Sequence, residues 1–290
     1  MATRGKSINL FLMDDEPSGR IKCTLANWTG VAYKIPRTAL DLCKERDDLK
    51  QSGIYFLFGT SDQTGNNVVY IGQAGARKNG EGLLYRLQEH KRNPDKDYWT
   101  EAVVFTTSNN SFGPTEISYL ENRFCGLALA AKRYNVKNGN DPTHGNITEE
   151  KESELEEFVD YARIVMGTLG HRVFEPVAAV KPTTEVSTVP ADEPLLYFNR
   201  TNLKATGRRT SEGFVVLKGS AVVEGLQKSC PENAVKLREL YKDKINADHI
   251  LTEDILFSSP SAAAAFVGGA SLSGNELWKT SDGISLKILD

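Results

Sequence analysis

Gly53-Ile54-Tyr55-Phe56-Leu57-Phe58-Gly59 and Val68-Val69-Tyr70-Ile71-Gly72 are two runs of aromatic and β-branched residues. Between them lies the polar interval Thr60-Ser61-Asp62-Gln63-Thr64-Gly65-Asn66-Asn67. Runs of that composition favour a pleated surface, and a Gly/Asn/Asp-rich interval favours a turn, so the stretch predicts a β-hairpin. Side chains alternate along a strand, which sends Tyr55 and Phe56 to opposite faces and does the same for Tyr70 and Ile71. The hairpin can then hold both phenols on one face with aliphatic residues packed behind. Two readings follow: a core hairpin whose tyrosine hydroxyls reach water, or a paired-phenol site.

Working outward, Gln73 to Gly82 is a glycine-rich connection into a helix over Leu83–Arg92. Arg86 and His90 are four residues apart and share a helix face, while Leu83, Leu84 and Leu87 face the core. Pro94 to Asp97 ends that helix, and Trp99–Thr107 reads as a third strand. Thr115 is placed to cap a second helix, from about Glu116 to Ala131. Its buried stripe is Ile117, Leu120, Phe124, Leu127 and Ala128. Glu121 falls at the edge of that stripe, where an acid is half-buried and still points into a cleft.

The triplets Gly53-Ile54-Tyr55 and Tyr70-Ile71-Gly72 resemble the signature of the GIY-YIG nuclease family. Arg86, His90, Glu121 and Tyr134-Asn135 follow in the order of that family's remaining motifs, so the resemblance covers residues 53–136. It implies a small three-stranded mixed sheet flanked by helices, and a metal-dependent endonuclease that hydrolyses DNA phosphodiester bonds. In that scheme Glu121 holds one Mg²⁺ or Mn²⁺ ion, a hard cation that keeps most of its waters and needs few protein oxygens. Arg86 stabilises charge on the phosphoryl oxygens. Tyr55 and Tyr70 orient or activate the attacking water, and His90 relays or accepts a proton. The alternative is a non-catalytic nucleic-acid-binding or regulatory protein that keeps the nuclease fold.

The chain departs from the family pattern in places. The insert Ala76–Gly82 lengthens the spacing between Tyr70 and Arg86 and makes Arg77 a rival for the arginine role. Gln73 stands where some members carry lysine. Asn135 resembles the asparagine that closes the module, and His144 matches no motif.

The flanks read as follows. Residues 1–50 are a β-rich segment with a helix opened by Pro36, a small element packed beside the next domain or a substrate-positioning arm. Arg4, Lys6, Arg20, Lys22, Lys34 and Arg37 are its possible phosphate contacts. Residues 51–175 comprise the nuclease-like module and an acidic helix from Glu149 to about Leu169, whose carboxylates form a solvated face. Residues 176–194 read as a linker. Residues 195–290 read as a second α+β domain, with Ser261 capping an alanine helix and Asn275–Ile288 forming a terminal hairpin. The segments Phe214–Gly219 and Phe257–Val267, with Trp278, resemble an uncharacterised C-terminal domain often found after this nuclease module. The basic run Arg200–Arg209 is either a phosphate-contacting segment or a solvated loop. The fold class is therefore α+β.

Composition bounds the rest. With 290 residues, 40% hydrophobic and 25% charged, the chain has the make-up of an ordinary globular protein. A net charge of −3 means that DNA must be met by a local basic patch rather than a global field. Cys23, Cys43, Cys125 and Cys230 are far apart in sequence and form no zinc or redox pair, which fits a reducing cytoplasm. No apolar run is long enough to cross a bilayer, so no membrane partner is expected.

Overall fold

The computed structural model describes residues 5–61, 65–75, 82–138, 147–176, 194–200 and 203–289. Arg4, Arg77, His144 and nearly all of the expected linker lie outside them. The chain divides into two compact units, Ala2–Pro176 and Val177–Asp290.

The first unit is built on strands β1 (Ile8–Leu12), β2 (Ile21–Leu25), β3 (Gly30–Pro36), β4 (Gly53–Thr60), β5 (Asn67–Ala74), β6 (Trp99–Thr107) and β7 (Asn135–Val136). Helices α1 (Leu83–Arg92), α2 (Pro114–Ala131) and α3 (Glu149–Thr168) complete it. The strands form one sheet in the order β1-β2-β3-β6-β4-β5-β7. Its β5–β7 pair is parallel and the other described pairs are antiparallel.

The sheet is thus wider than the three strands expected. The N-terminal segment does not lie beside the module but extends its sheet, with β3 pairing along the whole of its length with β6. The physical reason is visible in Gly30-Val31-Ala32-Tyr33-Lys34-Ile35-Pro36, in which all but Lys34 and Pro36 are buried. A strand covered on both faces reads as a near-continuous apolar run, and leaving one edge of β6 open would expose an unpaired row of backbone groups. After Pro36 the chain makes 3-10 turns at Arg37–Cys43 and Asp47–Lys50 rather than the expected helix.

Two layers of side chains sandwich this sheet. On one face Ile54, Phe56, Phe58, Val69, Ile71 and Phe105 pack against α2 and α3. On the other, Tyr33, Tyr55, Leu57 and Val104 pack against Leu40, Leu49, Leu83 and Leu87. Phe56 meets Phe105, Phe124 and Phe174 edge-on, at centroid distances of 5.9, 5.4 and 5.7 Å. The alternation anticipated for the hairpin holds: Phe56 sits in the α2–α3 layer and Tyr55 in the α1 layer.

The cations described among the first fifty residues are engaged internally. Arg20 pairs with Asp14 at 2.6 Å, Lys22 with Asp48 at 3.3 Å and Lys34 with Glu101 at 3.1 Å. Lys6 lies over the Tyr161 ring. Arg37 donates to the carbonyl oxygens of Lys91, Asp97 and Trp99, tying the end of α1 to the start of β6.

The second unit contains β8 (Leu196–Arg200), β9 (Leu203–Thr210), β10 (Gly213–Val216), α4 (Glu232–Leu240), β11 (Ile255–Phe257), α5 (Pro260–Gly268), α6 (Gly274–Leu277), β12 (Trp278–Lys279) and α7 (Leu286–Leu289). Its sheet runs β11-β10-β9-β8-β12 over a core of Phe198, Phe214, Phe257, Phe266 and Trp278. The expected terminal hairpin is instead helix, two-residue strand and helix. Trp278 is drawn to β8 opposite Phe198, with its indole N–H donating to the Pro260 carbonyl at 3.0 Å. The cap of α5 is Ser259, which accepts from the Ala262 N–H, whereas the Ser261 hydroxyl accepts from the Gly274 N–H. Most of the basic run forms β9 itself, where Lys204 and Arg208 alternate with the buried Ala205 and Gly207.

Candidate functional site

The phenols of the hairpin are placed by register. Tyr55 lies opposite Gly72 and Leu57 opposite Tyr70, so the two tyrosines sit diagonally on one face with ring centroids 6.2 Å apart. Gly72 is required by this arrangement. A Cβ there would stand 2.3 Å from the Tyr55 hydroxyl oxygen and 2.4 Å from its ring carbon Cζ. Replacing Gly72 by Ala should displace the buried Tyr55 ring and destabilise the protein by about 1–3 kcal/mol, the usual effect of overpacking. Urea unfolding measures this, and an unchanged midpoint would contradict it.

Helix α1 closes over the phenols. Leu83, Leu84 and Leu87 bury its apolar side, which turns His90 inward until only 4% of it is exposed. The Tyr55 hydroxyl and His90 Nε2 are 2.6 Å apart, and the His90 ring is within 5.2 Å of Tyr55 and 5.3 Å of Tyr70, centroid to centroid. Burial holds both groups neutral, so a single proton is shared between them. Burial, reinforced by Lys96 and Arg86, lowers the His90 pKa to about 3. Burial also pushes the Tyr55 phenol up; Tyr70 and Glu121 add to this and Arg86 opposes it.

A folded-state pKa of about 3 against 6.5 for an ordinary histidine means that the unfolded chain takes up the proton first on acidification. The stability that His90 contributes as a neutral ring is complete above pH 6.5 and is lost progressively as the pH falls towards 3. A His90→Gln variant should lose that part of the slope when urea midpoints are compared between neutral and mildly acidic pH. Parallel profiles for the two proteins would refute the assignment.

Glu121 approaches from α2, on the other face of the sheet, at the end of β5. Its Oε2 accepts from the Gln73 side-chain amide at 2.8 Å. Burial raises the Glu121 carboxyl above the ordinary range, while Gln73 and Arg86 pull it back. Arg86 is itself held by Glu89 one turn along the helix, at 2.6 Å.

The structure brings Tyr55, Tyr70 and His90 into one cluster, with Arg86 one helical turn before His90 on α1, while Glu121 stands on the other face of the sheet, bonded to Gln73. The Asn135 side chain is exposed in β7, whereas Asn138 locks the strand edge by bonding both the N–H and the carbonyl of Ile71. Two further residues enter that the sequence pattern does not single out. Lys96 stands over the Tyr70 ring, its Nζ 3.4 Å from the centroid, and Glu89 restrains Arg86. Helix α2 starts at Pro114 with Gly113 as its cap, the Gly113 N–H donating to Glu116, so Thr115 lies inside the first turn. A cavity of about 450 Å³ beside Trp28, Phe112 and Tyr161 shares no residue with the tyrosine cluster.

Residues 196–290 match the family described as Domain of unknown function (DUF4357). The match covers the second unit's sheet and helices and carries no activity in its description. No model of the GIY-YIG family matches the chain, so that resemblance rests on residues 53–136 themselves. No curated protein and no solved structure matches the chain. Cys23, Cys43, Cys125 and Cys230 form no disulfide with one another. No described helix is long and apolar enough to cross a membrane.

Proposed function

We propose that the first unit is a divalent-metal-dependent endonuclease acting on DNA. The observation that carries this reading is the cluster of Tyr55, Tyr70 and His90, with Arg86 on the same helix as His90 and Glu121 bonded to Gln73, the residue after Gly72. A core hairpin has no need of a buried phenol bonded to an imidazole.

The residues present fit a hard divalent ion. Among the described residues no group of three His, Cys, Asp or Glu side chains forms a closed metal cage. Mg²⁺ or Mn²⁺ does not require one, since it retains water and takes oxygen from a substrate phosphate. Glu121 supplies the carboxylate, and its burial makes a neighbouring positive charge favourable. When bound, such an ion stabilises charge on the phosphoryl and leaving oxygens.

The chain's own residues do the remainder. Arg86, half-exposed and one turn before His90 on α1, is placed to donate to two phosphoryl oxygens. Tyr70, partly exposed at the cluster's surface, orients the attacking water. The water oxygen forms the new bond to phosphorus as the P–O bond to the leaving strand breaks. The water's proton passes to the Tyr55 oxygen while the Tyr55 proton passes to His90 Nε2. The neutral imidazole is the acceptor this path needs.

A second reading, a DNA-binding protein that keeps the fold without cutting, is favoured by one observation: Tyr55 is only 1% exposed and its phenol is held neutral by burial. Supercoiled plasmid and single-stranded circular DNA, incubated with Mg²⁺ or Mn²⁺ or with EDTA, separate the two. Cleavage that requires the ion is expected. DNA bound but left intact with either ion would establish the second reading.

A further inference from the structure

Lys96 is the cation that neither the motifs nor the mechanism above uses. It belongs to the short turn Pro94–Lys96 between α1 and β6, where its N–H bonds the Asn93 carbonyl at 3.1 Å. Arg37 holds both ends of that turn, through Lys91 on one side and Asp97 and Trp99 on the other. The side chain is half-buried and crosses the Tyr70 ring at 3.4 Å from Nζ to centroid. No carboxylate among the described residues pairs with it. Arg86, its cationic neighbour, is engaged by Glu89. The groups around the ammonium are Tyr70 from β5, with Arg86 and His90 from α1. Tyr98, leading into β6, lies near Tyr70.

A half-buried ammonium fixed beside a guanidinium, with no anion of its own among the described residues, is an arrangement that a phosphate completes. We infer that Lys96 is a second phosphate ligand of this site, gripping the DNA backbone together with Arg86 across the Tyr70 ring. The inference rests on the proposed function only in taking DNA as the ligand of this cleft; it does not depend on cleavage. The electrostatics agree, since burial and the nearby Arg86 lower the Lys96 pKa to about 8 in the free protein. A bound phosphate restores the charge, so binding above that pH takes up a proton. Affinity is then flat below about pH 8 and falls as the pH rises through that value, by up to tenfold per unit.

The test is binding in EDTA, where no strand is cut, using labelled duplex and single-stranded oligonucleotides. Affinity is measured against salt, and against pH from about 7 to about 9.5, below the ordinary lysine range. Wild type is compared with Lys96→Met and Lys96→Arg. Lys96→Met should reduce the slope of log K against log salt by about 0.9 on duplex or about 0.7 on single strands, the change expected when one fewer phosphate is neutralised. It should also abolish the decline above pH 8. Lys96→Arg, charged throughout, should recover the salt slope and bind with no alkaline decline. A lysine that merely props the Tyr70 ring would move none of these. An unchanged salt slope in Lys96→Met, an alkaline decline that persists in Lys96→Arg, or no DNA binding by wild type overturns the inference. Binding that behaves as described, with no cleavage when Mg²⁺ or Mn²⁺ is restored, leaves it standing and removes the nuclease proposal instead.

Discussion

Glu121→Gln is expected to slow DNA cleavage by about 10³-fold or more while DNA affinity in the absence of metal stays within a few-fold of wild type. The size follows from the several kcal/mol of charge stabilisation that a carboxylate-held ion supplies, each ~1.4 kcal/mol being tenfold in rate. The substitution is isosteric, and its amide oxygen can still accept from the Gln73 side chain, which now bonds Glu121 at 2.8 Å. Folding should not suffer, because the carboxyl is one whose charge burial already disfavours. A melting temperature equal to or above that of wild type is the companion expectation, and it separates lost chemistry from lost structure. The pH dependence has a definite sign. A raised Glu121 pKa makes wild-type activity fall on acidification before the ordinary glutamate range is reached. Cleavage by Glu121→Gln within about tenfold of wild type would exclude Glu121 from the chemistry.

How much of this site could be read in the sequence depends on the distance over which each feature is encoded. The sharing of one face by Tyr55 and Tyr70, and its denial to Phe56 and Ile71, is a consequence of strand alternation and needs only a few adjacent residues. The inward turn of His90 follows in the same way from Leu83, Leu84 and Leu87 at helical spacing. Pairing between distant strands is not local. That β3 should extend the sheet beyond β6 is hinted at by the buried run Gly30–Pro36, but no neighbouring residue names its partner. Caps fall between these cases: Ser259 and Ser261 are both good capping residues, and tertiary contact with Gly274 decides which one bonds elsewhere. Asn138 belongs to a turn-rich run in which any asparagine looks alike, and its role appears only when its amide meets the edge of β5 at Ile71. Lys96 carries no pattern at all. Its place over Tyr70 results from the Arg37 clamp on a turn more than fifty residues further along.

Arg86→Ala should cost about 10²–10³ in the rate of cleavage, the usual consequence of removing one preorganised donor to a charge that develops in the transition state. The side chain has two duties in this structure, and both point the same way. It is the guanidinium nearest the expected phosphate, and it is the cation that opposes burial in setting the acidity of Tyr55. Without it the Tyr55 phenol is held still further from ionisation, because burial and the nearby Tyr70 and Glu121 act unopposed. The relay through Tyr55 should therefore run less readily in the variant at every working pH, because the phenol gives up its proton to His90 less easily. Arg86→Lys tests the duties separately: a lysine restores positive charge near the phenol but offers a point charge in place of the two-pronged donor. It should recover about tenfold of the loss, because charge governs the phenol while geometry governs the phosphate. Glu89, which ion-pairs Arg86 at 2.6 Å, loses a partner in Arg86→Ala, but the pair lies at the surface and is worth about 1 kcal/mol or less. A loss of cleavage much above tenfold cannot then be assigned to instability, provided the urea midpoint moves by no more than that pair accounts for. Single-turnover rates at saturating DNA, measured across pH for the three proteins, decide the matter. An Arg86→Ala rate within about tenfold of wild type would remove the guanidinium from both roles.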